Sequence, residues 1–187
     1  MGFVPKISEA QRTARRTQIL DGARRAFARW GFGGATVNRL EAEIGLSRGA
    51  IFSYFPSKWD LFYALAEEDQ ARAGEIWLEE GFGGVLRHIA RERPEWIGVY
   101  FELTGMLRTR PELREQFLNR SPELNARLVE RVRELQQTAE LRDDLDAEQL
   151  GRFMGIVLDG IVVAVAAGVP VDIDPVLRLV SSAIAPQ

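Results

Sequence analysis

At 187 residues, with 46% apolar and 27% charged side chains, the chain has the make-up of a soluble globular protein, enough for one good core or two small lobes sharing one. It has no cysteine and one histidine, His88. That excludes disulfides and thiolate metal sites, and it leaves zinc chemistry or a Ser-His-Asp arrangement dependent on a single imidazole. The net charge of −3 divides unevenly: residues 1–60 carry ten Lys/Arg against five Asp/Glu, residues 61–187 fourteen against twenty-two. A basic head on an acidic body points to a head that meets a polyanion.

Met1 to Lys6 lack the apolar run of a secretory signal, so a cytoplasmic chain is expected. Ile19, Ala23 and Phe27 recur at four-residue steps with Leu20 and Trp30 on their flank, which predicts a helix over 8–30. Gly31, Gly33 and Gly34 stop it. Thr36 caps a short second helix with Val37, Leu40 and Ile44 inward, and Gly45 breaks it. Ser47 caps a third helix carrying Ala50, Ile51 and Phe55, and Pro56 ends that one. Ser57 to Asp60 reads as a variant capping box, with Leu61, Phe62 and Leu65 inward behind it. Further helices are predicted over 57–79, 83–92, 95–108, 111–119, 122–141, 146–168 and 173–184, with no internal repeat and no low-complexity linker. The segment from Phe153 to Val169 is nearly all apolar but holds Asp159, Gly155, Gly160 and Gly168. It reads as a buried interface helix rather than a membrane span. Its Ile-Val-Val-Ala-Val run also suits a strand, but no partner strand is evident.

The chemistry lies in Thr36 to Lys58. Two short helices parted by a Gly turn can cross steeply, the first bracing the second in a major groove. Thr36 and Ser47 start helices, where amides and dipole favour a phosphate; Asn38 and Arg39, on the bracing helix, join the expected DNA contacts. Arg48 at the start of the second helix is shaped to grip guanine O6 and N7, and Gly49 beside it removes a side chain where DNA comes close. Ser53 and Tyr54 bring hydroxyls, and Lys58 a point charge near the backbone. A plain helical hairpin with polar ends has the same spacing.

Residues 19–65, ILDGARRAFARWGFGGATVNRLEAEIGLSRGAIFSYFPSKWDLFYAL, resemble the N-terminal signature of TetR-family regulators at Ile19, Leu20, Ala23, Phe27, Gly31, Thr36, Leu40, Gly45, Ser47, Gly49, Phe55, Lys58 and Leu61. The resemblance implies an all-α homodimer: an N-terminal three-helix helix-turn-helix DNA-binding domain at 1–56, and a C-terminal helical effector-binding and dimerisation domain at 57–187. It also implies a repressor released by an inducer. The family often has Tyr where this chain has Phe52; the loss weakens one phosphate contact, for which Tyr54 can compensate. ATVNRLEAEIGLSRGAIF, ALAEED, FELTGMLRTRP and VLDG are further similar to the actinobacterial aconitase repressors, which leans the effector toward a tricarboxylate with Mg²⁺.

In the body, Glu102, Arg108, Arg131 and Asp159 are expected to line an effector cavity walled by Trp96, Tyr100 and Phe101; surface salt bridges and ordinary core aromatics are the alternative. Asp159 interrupts an apolar helix and needs a partner, a cavity or an interface. His88 reads as a polar surface residue. Gly151, Gly155, Gly160 and Ala164, with Val176, Leu177, Val180 and Ile184 on the last helix, suggest a four-helix dimer interface, or else closure of the monomer core. The expectation is a ligand-responsive homodimeric repressor on a pseudo-palindromic operator, with no catalytic residues, no protein-held metal and no membrane partner. The alternatives are an activator or corepressor-dependent regulator of the same fold, and an all-α carrier or enzyme whose hairpin is structural.

Overall fold

The computed structural model describes residues 8–118 and 122–186. The stretch Met1 to Lys6 and the last residue of the helix expected over 111–119 lie outside the described residues. Those residues fold into α-helices without a strand: α1 Glu9–Gly34, α2 Val37–Ile44, α3 Arg48–Tyr54, α4 Lys58–Ala90, α5 Pro94–Thr109, α6 Pro111–Leu118, α7 Pro122–Gln137, α8 Ala147–Ala166 and α9 Ile173–Ile184. The chain forms two compact units, Met1–Ala66 and Glu67–Gln187. The expected boundary at 56/57 therefore falls ten residues early. The start of α4 belongs to the head because Leu61, Phe62 and Leu65 are fully buried there, with the Phe62 ring edge-on to Phe27 and Phe32.

Two expected helix breaks fall at glycines. The regular helix that begins at Glu9 is interrupted at Gly31, where it was expected to stop, and a further turn runs on to Gly34. Gly31 alone takes a left-handed φ of 68° and kinks the helix, which swings Phe32 into the core against Phe27 and Trp59. The helices expected over 57–79 and 83–92 are likewise the two arms of α4, kinked at Gly81, φ 70°. The helix expected over 122–141 ends at Gln137. Its side chain neighbour Gln136 donates to the carbonyls of Arg142 and Leu145, and Ala139 takes a positive φ of 55°.

In the head, α1 and α2 meet at Gly22. A Cβ there would lie 2.7 Å from the Ile44 Cα, so only glycine allows the helices this close. Gln18 donates to the Ile44 carbonyl, and Arg25 bridges the Glu43 carboxylate and carbonyl. In the C-terminal unit, α8 packs on α5 and α7, burying Trp96, Val99, Val132, Leu150, Met154 and Ile161.

Candidate nucleic-acid interface

The geometry of α2 and α3 begins with their caps. Gly45 ends α2 in the left-handed conformation, φ 75°, and a three-residue turn delivers the chain to Ser47. The Thr36 and Ser47 hydroxyls accept from the amides of Arg39 and Ala50, each at 3.4 Å. A further cap was not foreseen: Glu41 on α2 accepts from the Arg48 amide at 2.6 Å. This strut fixes the crossing of the two helices. It also corrects the expectation that the start of α3 awaits a phosphate, because a carboxylate already occupies the amide there and the helix dipole favours it. The only sequence cue was an acid four residues before a glycine stop.

Arg48, Gly49 and Ser53 are exposed along α3, and Asn38 and Arg39 along the start of α2; Tyr54 is half-buried. The Arg48 guanidinium lies 5.9 Å from the Phe52 ring centre. The residue read as a lost hydroxyl thus offers the arginine a cation–π contact. A Cβ on Gly49 would meet nothing within 4 Å, so the chain itself has no use for glycine there, although glycine weakens a helix by about 1 kcal/mol. Arg39 donates to the Gly34 carbonyl at 2.8 Å and stacks over Trp30, while Ser53 donates to the Ala50 carbonyl.

Lys58 departs most from its expected role. Its ammonium is half-buried, donates to the Phe32 carbonyl at 2.7 Å and sits 4.5 Å from the Phe32 ring centre. It ties the kinked end of α1 to the start of α4. Ser57 and Asp60 form the expected capping box: the Ser57 hydroxyl accepts from the Asp60 amide and donates to its carboxylate.

The expected effector residues do not converge. Trp96 Nε1 and Tyr100 Oη both donate to Asp69 Oδ2 on α4, at 2.8 and 2.7 Å; they staple α5 to α4 instead of walling a cavity. Glu102 and Arg108 are exposed on α5, and Asp159 is exposed on α8 beside Ile156 and Val163. Arg131 lines a cavity of about 290 Å³ shared with Trp77, Glu79, Phe82, Glu140 and Met154. Trp77 Nε1 is buried there and finds no acceptor among the described residues. A larger concavity on α7, near Asn125 and Glu148, is a shallow surface groove. His88 faces Glu92 across one helical turn at the surface.

The expected interface residues on α8 and α9 are open to differing degrees, with one exception. Gly151, Gly155, Gly160, Ala164 and Val176 are partly or fully open, and a Cβ on any of the three glycines would meet nothing within 4 Å. Val180 is buried in its own subunit; its neighbour Leu179, 73% exposed, points outward instead. Ile156, Val163 and Val169 extend this bare apolar face. Ala147–Ala166 is by length and composition apolar enough to cross a bilayer.

Residues 19–65 match the family model of bacterial regulatory proteins of the tetR family, and residues 86–187 match that of the BetI-type transcriptional repressor C-terminal region. The chain is 41% identical over 184 residues to the HTH-type transcriptional repressor Rv1474c of Mycobacterium tuberculosis, covering 97% of this chain and 98% of the relative. It is 39% identical to the HTH-type transcriptional repressor AcnR of Corynebacterium diphtheriae, covering 97% of both. Among solved structures, Salmonella enterica GusR superposes with a TM-score of 0.75 at 24% identity, covering 95% of this chain and 97% of that one. A TetR transcription regulator from Haloarcula marismortui gives 0.71 at 17%, covering 91% and 96%.

Proposed function

Because the chain belongs to the tetR family of bacterial regulatory proteins, we propose that it is a cytoplasmic homodimeric repressor that binds a pseudo-palindromic operator through α2 and α3 and leaves it on binding a small anionic metabolite. The observation that carries the DNA reading is the first turn of α3. There Arg48 is exposed, within cation–π distance of Phe52, and beside a glycine that the chain itself does not require. That pairing suits a bidentate guanine contact at close backbone approach.

The bare face of α8 and α9 supports the dimer. Large apolar side chains as open as Ile156 (66%) and Leu179 call for a cover. Asp159 and Arg152 on the same helix suit a protein partner better than lipid tails. A second copy supplies two more such helices and completes a four-helix interface.

The cavity around Arg131 is the effector site of this proposal. Its size lies near the lower end for ligand pockets, roughly 300–1,000 Å³. Arg131 and the orphan indole N–H of Trp77 both donate, which suits a carboxylate oxygen. Glu79 and Glu140 on the same lining suit a cation carried in by that carboxylate. Among the described residues no three His, Asp or Glu side chains converge to hold a metal, so the ligand would bring most of the coordination. A tricarboxylate with Mg²⁺ has this chemistry. The test is a fluorescence titration of promoter DNA with and without citrate and Mg²⁺. Operator affinity is expected to drop by roughly 5–150-fold, with the same factor lost from citrate binding when DNA is present. Citrate binding that leaves DNA affinity unmoved would contradict induction through this cavity.

A further inference from the structure

The N-terminal part of α1 buries none of its residues within its own subunit. None of the residues from Ser8 to Gln18 is buried, yet they form regular helix, started by a capping box in which the Ser8 hydroxyl accepts from the Gln11 amide and the Gln11 side chain accepts from the Ser8 amide. At about 1.5 Å per residue this is an arm roughly 15 Å long. Its charge is one-sided in sign: Arg12, Arg15 and Arg16 against Glu9 alone. Its position is also defined. Residues 12, 15/16 and 19 follow the three- and four-residue steps of one helix face, so the arginines prolong the stripe by which Ile19 and Ala23 pack. Arg16 places its guanidinium 5.6 Å from the ring centre of Phe55, the residue that ends α3. Arg15 is steadied by Gln18, which itself donates to the last carbonyl of α2.

We propose that this arm is a second DNA-binding element: Arg12 and Arg15, with Arg16, hold the phosphate backbone flanking the groove that α3 enters. The inference rests on the operator-binding reading above and extends it to residues outside the helix pair. A phosphate strand rims a recognition helix on either side. A cationic helix running off the end of α3 is placed for that strand and carries no sequence information of its own.

The experiment is a salt titration of promoter-fragment binding by the full-length chain, comparing wild type, Arg12→Ala/Arg15→Ala and Arg12→Lys/Arg15→Lys. Each phosphate contact adds about 0.9 to the slope of log affinity against log salt. With two arginines lost from each subunit of the dimer, the alanine variant is expected to lose about three to four units of slope, on promoter and on unrelated DNA alike. Its melting temperature and dimer mass stay unchanged, because alanine favours helix and the arm is unburied. The lysine variant, which keeps the charge, is expected to retain the slope. A wild type that binds DNA alongside an alanine variant of equal slope overturns the arm alone. A wild type that binds no DNA at low salt overturns the operator reading and the arm with it.

Discussion

Arg48 is fixed at both ends of its residue: the amide by Glu41 and the guanidinium by the face of Phe52. A side chain held this way loses little freedom on meeting a base. Arg48→Ala should therefore cost about 1–3 kcal/mol of discrimination, read as the affinity ratio between operator and scrambled duplex, while sedimentation shows the dimer intact; an unchanged ratio removes Arg48 as a base reader. Lys58 leads to the opposite expectation. Its half-buried bond to the Phe32 carbonyl makes Lys58→Ala a folding defect. Charge-assisted hydrogen bonds contribute about 1.5–3 kcal/mol, so the urea midpoint of the variant should fall, with the salt slope of DNA binding shifting by less than one unit. A normal midpoint with a slope reduced by about two, one for each subunit of the dimer, would return Lys58 to the phosphate contacts. The sequence was legible at the caps, because Thr36, Ser47 and Ser57 act locally. It was silent on Glu41 and on Lys58 with Phe32, which depend on residues seven and twenty-six positions apart brought together by packing.

At the scale of elements, the 3.6-residue periodicity located the helices well, since amphipathic stripes follow from burial. The breaks expected near Gly31 and Gly81 fall at those glycines, where a positive φ interrupts the helix. The body residues were harder to read: Trp96 and Tyr100 have the make-up of a ligand wall, but Asp69 sits one helix away and takes both donors. On α8, the open space around Gly155 means that Gly155→Leu should leave the subunit folded. It should nonetheless split the dimer in sedimentation; a variant that stays dimeric places the glycine outside the interface. Asp159 adds a pH dependence. Partial desolvation on this otherwise open helix face raises its carboxyl above the ordinary 3.8, so the folded chain holds this proton more tightly than the unfolded chain does. The associated stability is present below 3.8 and is lost as pH rises through the raised value. Asp159→Asn should remove that decline from a plot of melting temperature against pH. A variant profile that still tracks the wild type would assign the decline to other groups.

At the scale of the whole molecule, the charge split between residues 1–60 and 61–187 already set a basic head apart from an acidic body, and the proposed function adds a dimer seam on α8 and α9. The account needs both properties at once, because a single helix pair reads too few bases to find one site in a genome. A two-fold dimer doubles the contact and imposes half-sites about one helical turn, roughly 34–36 Å, apart. The direct measurement is hydroxyl-radical footprinting of the promoter fragment, with the protein-to-DNA ratio at saturation determined in parallel. Two protected half-sites about one turn apart, occupied by an even number of chains and lost together in Arg48→Ala and Gly155→Leu, are the expected result. Protection of a single half-site by one chain, or no protection beyond that of unrelated DNA, would contradict the account.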